Sequence, residues 1–128
     1  MDMIKYIISF AVTLISTAVI DYVWLGQIMK DFYVKELGKA IVPNIPAAIG
    51  VYVAMVLLVF IFVLPVAGPS YLRVIGFGAL FGLLTYAFYD LTNLAILTTW
   101  STRLAVVDII WGTVLCAILS VIAYSLLK

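Results

Sequence analysis

Residues 47–66 read AAIGVYVAMVLLVFIFVLPV, a stretch of twenty positions without one charged side chain. About 20 apolar residues are enough to carry an α-helix across the hydrocarbon core of a bilayer. Pro46 precedes this stretch, so we place a membrane span at about residues 46–66. Three further apolar runs of similar length predict three more spans, at about residues 4–29, 71–97 and 103–126. The sequence therefore predicts one transmembrane domain over residues 1–128.

The composition excludes a soluble domain. Hydrophobic residues make up 67% of the chain and charged residues 10%, whereas soluble domains have roughly 45–50% and 25%. A soluble protein of this size keeps much of its surface in water and cannot hide so much apolar surface. The formal net charge is only +1, and no basic cluster marks one face, so a nucleic-acid partner is excluded. The expected partner is the lipid bilayer.

The connections between the spans indicate how the helices pack. Residues 68–70 and 98–102 are short connections, which make spans 2, 3 and 4 consecutive antiparallel hairpins. The longer polar stretch at residues 30–44 carries apolar residues at helical spacing, which predicts a short interfacial segment. The apolar runs lack the alternation of barrel strands. We therefore expect an all-α integral membrane protein, a four-transmembrane-helix antiparallel bundle with that segment between helices 1 and 2.

Four spans place both ends of the chain on one side of the membrane, here called side A, and the opposite side is side B. Three basic residues flank side A and four flank side B, respectively Lys5, Arg73 and Lys128, and Lys30, Lys35, Lys39 and Arg103. A bias of three against four does not set an orientation by the positive-inside rule.

Three carboxylates lie inside the predicted spans, at Asp21, Asp90 and Asp108. An ionised side chain near a helix centre costs about 2.5–3.5 kcal/mol on insertion scales, so an acid inside a span indicates function. At about 1.5 Å per residue, the three acids fall in a slab about 5 Å thick, roughly 8–12 Å below side B. We therefore predict that they converge inside the bundle.

Other side chains accompany the acids as candidates for ligand or proton binding. Four of them lie on or beside the helix faces that carry the acids, namely Trp24, Tyr86, Asn93 and Trp111. Arg103, at the membrane edge near Asp108, is the expected counter-charge. Span 2 carries no charge and is expected to close the bundle as an apolar wall.

Several functions fit three acids at one depth. Like charges and desolvation both oppose ionisation, so such a cluster would share protons, bind a cation or meet a cationic ligand. Our leading hypothesis is a carrier or binding protein for a small or lipid-like molecule, with the cluster providing proton or cation coupling. A membrane-embedded lipid-modifying enzyme and a structural partner subunit of a membrane complex are the alternatives. The acids could also be satisfied by hydrogen bonds alone.

The residue types limit the chemistry. The chain has no histidine, so the commonest metal ligand and the usual acid–base residue are both absent. An oxygen-only site for a hard cation, formed by Asp21, Asp90 and Asp108, stays open. We expect no cofactor, assign no catalytic residue and favour a non-enzymatic role. Because four spans enclose little volume, transport would imply a homodimer.

Short motifs run along almost the whole chain, including Asp21-x-x-Trp24-Leu25-Gly26, Asp90-Leu91-Thr92-Asn93-Leu94-Ala95 and Val107-Asp108-x-x-Trp111-Gly112. In this combination the chain resembles a bacterial family of membrane proteins catalogued as domain of unknown function 2177. The element that begins at Asp90 is the most specific part of the resemblance. The resemblance implies a small multi-pass protein of the bacterial inner membrane, and it implies no particular chemistry.

Overall fold

A computed structural model describes residues 2–128 of the chain. Four of its helices are long and apolar enough to cross a membrane, and we call them span 1, Met3–Ile28, span 2, Ile45–Ala67, span 3, Tyr71–Ile96, and span 4, Thr102–Leu127. A short interfacial helix, Lys30–Leu37, follows span 1. Residues 2–128 contain no β-strand. The predicted fold class, an all-α membrane protein with four spans, is confirmed.

A polar side chain caps the start of each span, and Asp2 does so for span 1 by accepting from the Ile4 amide at 3.1 Å. The Asn44 side chain accepts a hydrogen bond from the Ala47 amide at 3.2 Å, ahead of span 2. Ser101 accepts one from the Leu104 amide at 3.0 Å, ahead of span 4, and Ser70 caps span 3 in the same way. The first N–H groups of a helix have no partner within the helix, and these caps supply one. The connections therefore stop and restart the helices at defined residues.

Two spans contain a π-helical turn. One ends span 1, at Trp24–Ile28, and the other lies inside span 2, at Val59–Val63. A π turn inserts an extra residue into a helical turn and often occurs near functional sites. The first begins at Trp24, one of the candidate site residues.

Spans 3 and 4 approach each other closely because glycine lies at their contact. A Cβ on Gly78 would lie 2.6 Å from the Ser120 hydroxyl, and one on Gly82 would overlap the backbone carbonyl of Gly112. A Cβ on Gly112 would in turn overlap the ring of Tyr86. Small residues at such positions let two membrane helices approach. Along this antiparallel contact Gly78, Gly82, Tyr86 and Asp90 oppose Ser120, Cys116, Gly112 and Asp108, in that order.

Span 1 packs on span 4, and span 2 closes the bundle. The face of span 1 that is buried carries polar residues four positions apart, Ser9, Thr13, Thr17 and Asp21. The hydroxyls of Thr13 and Thr17 each donate to the carbonyl one turn earlier, at 2.7 Å. Span 2 contributes Met55, Val59 and Val63 to a core cluster with Leu115 and Leu119 of span 4. The four spans thus form a bundle whose aspartates at positions 21, 90 and 108 lie toward side B.

Candidate functional site

Asp90 and Asp108 lie side by side at the side-B end of the contact between spans 3 and 4. Asp90 is 0% exposed. Both oxygens of its carboxyl group are buried and have no hydrogen-bond partner within residues 2–128. Asp108 is partly buried, and its carboxylate accepts a hydrogen bond from the Tyr33 hydroxyl at 3.0 Å. The two acids therefore form a pair, here called the acid pair, in which Asp90 lacks a partner other than Asp108.

A second buried polar group without a partner lies beside the acid pair. It is the indole N–H of Trp100, in the connection between spans 3 and 4. The Trp100 ring packs edge-on against Tyr89, with ring centroids 5.8 Å apart. Burying a polar group without a hydrogen bond costs roughly 2–7 kcal/mol, depending on the reference state. Unpaired buried groups are rare in proteins, and the Trp100 indole N–H lies so near the Asp90 carboxyl group that a small side-chain movement would bond the two.

Asp21 lies in a different environment, although it is almost as deeply buried, with 7% of its surface exposed. The indole N–H of Trp111 donates to one carboxylate oxygen at 2.9 Å. The hydroxyl of Tyr52, from span 2, donates to the other oxygen at 2.5 Å. Hydrogen bonds to a charged acceptor are short and strong. Both oxygens of Asp21 are therefore occupied.

Aromatic side chains connect Asp21 with the acid pair. Trp111, which bonds to Asp21, stacks on Trp24 with ring centroids 4.3 Å apart and planes 3° apart. The Trp24 indole N–H donates to the Tyr33 hydroxyl at 3.1 Å, and that hydroxyl donates to Asp108. The resulting aromatic network runs from span 1 through the interfacial helix to span 4.

The interfacial helix brings Tyr33 into this network. Tyr33 is only 5% exposed, and the Ser101 hydroxyl donates to Glu36 at 2.7 Å, which ties the helix to the start of span 4. Gly38 ends the helix in the left-handed conformation, at φ 74°. Burial, and to a lesser extent the charge of Asp108, raises the pKa of Tyr33 well above its ordinary value. Tyr33 therefore stays protonated and remains a hydrogen-bond donor.

Three of the expected partners of the acids lie elsewhere. Arg103, the expected counter-charge, is exposed, and its guanidinium lies 5.9 Å from the centre of the Phe32 ring instead of pairing with Asp108. The long side chain follows the membrane edge, where it keeps its charge in water. The Asn93 side chain lies near the Tyr89 hydroxyl. The Tyr86 ring packs over Gly112, one turn below the acid pair.

The structure does not show a metal site built from all three acids. Within the described part of the chain, no three His, Cys, Asp or Glu side chains are grouped so that they could hold a metal ion. The reason is visible at Asp21, whose two oxygens are directed at Tyr52 and Trp111 and not at the acid pair. Asp90 and Asp108 thus form a pair, and Asp21 is a separate carboxylate that the aromatic network connects with it.

Sequence reasoning missed Tyr52, Tyr33 and Trp100 as site residues. Tyr52 also corrects the interpretation of span 2 as an apolar wall, since its hydroxyl is a direct partner of Asp21. A usable signal was present, because Tyr52 is the one hydroxyl in the stretch at 47–66. Tyr33 and Trp100 carried no comparable signal, since tyrosine and tryptophan are common at any membrane interface.

Comparison with known proteins gives a family and no chemistry. The sequence matches, over residues 6–125, the family described as "Predicted membrane protein (DUF2177)". No curated protein matches the chain, and no solved structure matches it.

Proposed function

The chain belongs to this family of membrane proteins, and we propose that it is a membrane carrier or binding protein whose acid pair takes up and releases a proton. One observation supports this above all others, namely that both oxygens of Asp90 are buried without a hydrogen-bond partner. Two ionised carboxylates side by side in an apolar setting repel each other, and each loses its hydration. A proton held between Asp90 and Asp108 removes one charge and gives Asp90 a bond.

A proton suits the acid pair better than a larger ligand does. Asp90 is fully buried, Tyr33 is 5% exposed and the Tyr86 ring fills the space over Gly112. A metal ion such as Mg²⁺ or Ca²⁺ takes about six to eight oxygen ligands, and here two carboxyl groups face each other. A proton needs no cavity and no further ligand.

The aromatic network offers a way for the proton to act on the rest of the molecule. Asp108 accepts its bond from Tyr33, so a change of charge on the acid pair changes how firmly the interfacial helix is held. An unprotonated Asp90 would also be a stronger acceptor for the neighbouring indole N–H of Trp100 than a protonated one. Proton uptake would thus alter two connections on side B, the interfacial helix and the start of span 4.

The remaining parts of this proposal concern cargo, assembly and location. The cargo would be a small or lipid-like molecule, whose movement or binding depends on the protonation of the acid pair. Since four spans enclose little volume, we propose that the carrier is a homodimer in the bacterial inner membrane. A mass measurement on the protein in lipid nanodiscs would show two copies, and one copy would contradict the dimer without affecting proton binding.

Tryptophan fluorescence tests proton binding directly, because all three tryptophans of the chain, Trp24, Trp100 and Trp111, surround the acids. In nanodiscs, we expect the emission to titrate between acid and alkaline pH. Asp90→Asn and Asp108→Asn should each abolish that titration, with helix content unchanged by circular dichroism.

Asp31→Asn is the matched control, because Asp31 is an exposed carboxyl group on the interfacial helix, outside the acid pair. It should leave the titration as in the wild type. A flat titration in the wild-type protein, or one that survives Asp90→Asn, would contradict the proposal.

A further inference from the structure

An apolar groove lies between spans 1 and 2, in the half of the membrane opposite the acid pair. Its outer part, at side A, is a cavity of about 270 Å³ whose lining includes Tyr6, Phe60 and Lys128. Its inner part is a cavity of about 300 Å³ that is also lined by Tyr6 and Phe60, together with Phe10 and Leu57. The two cavities adjoin at these two shared residues, and together they are here called the side-A groove.

The side-A groove extends from the membrane surface into the hydrocarbon layer. Phe10 and Phe60 pack edge to face across its inner part, with ring centroids 5.7 Å apart. Phe10 lies seven residues beyond the start of span 1 at Met3, which is a depth of about 10 Å at about 1.5 Å per residue. Phe60 belongs to the π turn Val59–Val63. The inner part is therefore at the level of lipid acyl chains.

The mouth of the side-A groove is positively charged. Lys128 lines it, and the Lys5 ammonium lies against it, since it donates to the Lys128 carbonyl at 3.3 Å. In the side-A segments of residues 2–128 the one acidic side chain is Asp2, which caps span 1 by accepting from the Ile4 amide at 3.1 Å. Arg73, on the same side, is held by the Ala67 carbonyl at 2.7 Å. The Lys128 ammonium lies 4.7 Å from the centre of the Tyr71 ring, so each of the two ammonium groups near the mouth has a partner in the protein that an anion would have to replace.

We infer that the side-A groove binds an anionic phospholipid of the side-A leaflet, with its phosphate at Lys5 and Lys128 and an acyl chain lying along the paired rings of Phe10 and Phe60. A charged mouth above an apolar groove matches a phospholipid in both parts. The groove opens sideways between two spans, so a leaflet lipid can enter it without leaving the membrane. This site is separate from the acid pair and does not depend on its proton chemistry.

Native mass spectrometry of protein released from nanodiscs tests this inference. The nanodiscs contain equal amounts of phosphatidylglycerol and phosphatidylcholine, and we expect the protein to retain phosphatidylglycerol in preference. Each basic residue near an anionic lipid is worth about 1 kcal/mol, which is about fivefold in binding. Lys5→Gln and Lys128→Gln should therefore each reduce the preference about fivefold.

Two further variants make the result specific. Lys35→Gln with Lys39→Gln removes two exposed charges on side B and should leave the preference unchanged. Leu57→Trp fills the inner part of the groove from a position that is 43% exposed, and it should reduce the retention of both lipids. Asp90→Asn, which removes the proposed proton site, should retain phosphatidylglycerol as the wild type does.

Any one of four results would overturn the inference. In the first, the wild type retains the two lipids equally. In the second, the side-B double variant loses the preference as the side-A variants do. In the third, Leu57→Trp retains lipid normally. Displacement of the bound lipid by inorganic phosphate alone would likewise show that the apolar groove contributes nothing. Should a lysine variant fail to fold, the Leu57→Trp result still decides the question.

Discussion

The contact between spans 3 and 4 has two halves with the same register and different chemistry. In the half toward side A, Gly78 and Gly82 pack against Cys116 and Ser120. The Ser120 hydroxyl donates to the Cys116 carbonyl of its own helix at 2.6 Å, and nearer the membrane surface the hydroxyls of Tyr71 and Ser125 bond to each other at 2.9 Å. In the half toward side B, the same spacing of four residues places Asp90 against Asp108, and the Asp90 oxygens have no partner among the described residues.

The two halves of the contact therefore differ in role: the side-A half serves helix packing, and we propose that the side-B half serves function. The side-A half is fully explained by close approach of two helices, since each polar group there is satisfied locally. The side-B half places a buried acid where an apolar residue would pack at lower free energy. We propose that this acid is retained for the proton that it binds.

Substitution of glycine tests the packing half, and here we expect the largest effect. Gly82→Ala places a Cβ onto the Gly112 carbonyl, which is backbone and cannot move aside alone. Overpacking typically costs about 1–3 kcal/mol and sometimes more, so we expect about 3 kcal/mol lower unfolding free energy in mixed micelles. Gly76→Ala is the control, because a Cβ there meets open space. Equal effects of the two substitutions would mean that the helices do not approach as described.

Replacing Asp21 or Asp90 by asparagine, one at a time, should change the unfolding free energy in opposite directions. Asp21→Asn replaces an acceptor that serves two donors, Tyr52 and Trp111, and should lower the unfolding free energy by about 2 kcal/mol. Asp90→Asn removes a buried carboxyl without a partner and offers its amide to Asp108. It should be neutral or stabilise by about 1 kcal/mol. The same unfolding assay measures both, and a larger loss in Asp90→Asn would reverse our view of the two sites.

Removing the Tyr33 hydroxyl should have a smaller effect. Tyr33→Phe removes the donor to Asp108 and the acceptor for Trp24, and we expect a loss of about 1.5 kcal/mol in unfolding free energy. Tyr22→Phe, at a tyrosine that is 61% exposed, should stay within about 0.5 kcal/mol of the wild type. Limited proteolysis near residues 38–44 should also be faster in Tyr33→Phe. Equal behaviour of the two variants would contradict a role for Tyr33 in holding the interfacial helix.

The smallest effect that we expect is on the stability of the folded protein at alkaline pH. The folded protein raises the pKa of Tyr33 above the value of about 10 that tyrosine has in an unfolded chain. The stability that protonated Tyr33 contributes is therefore complete below about pH 10 and is lost as the pH rises further, because the unfolded chain ionises first. The difference between wild type and Tyr33→Phe should shrink above that pH in denaturant titrations. A difference that grows would have the wrong sign for a buried, protonated Tyr33.

The sequence predicted the fold well because the bilayer imposes a simple rule on it. Spans need about 20 apolar residues with internally bonded backbone, and this chain contains four such runs. The acids could be found for the same reason, since a carboxylate stands out in an apolar run. Even the pairing of Asp90 with Asp108 follows from the spacing of four that begins at Gly78 and at Ser120.

The partners of the acids were harder to predict, because they depend on side-chain direction and not on composition. Arg103 is near Asp108 in the chain, but its side chain extends along the interface to Phe32. Tyr33 lies 75 residues from Asp108 in sequence and donates to it. Only the docking of the interfacial helix brings them together, and a sequence pattern does not fix that docking.

The central claim is that Asp90 and Asp108 share a proton, and infrared spectroscopy tests it most directly. We predict that the wild-type protein in nanodiscs near neutral pH shows the C=O stretch of a protonated carboxyl group, shifted on exchange into D₂O. The band should vanish in Asp90→Asn and in Asp108→Asn, and it should persist in Asp21→Asn, since the Asp21 carboxyl group lies outside the acid pair and bonds to Tyr52 and Trp111. A spectrum without this band, or a band that is unchanged in Asp90→Asn, would contradict the account.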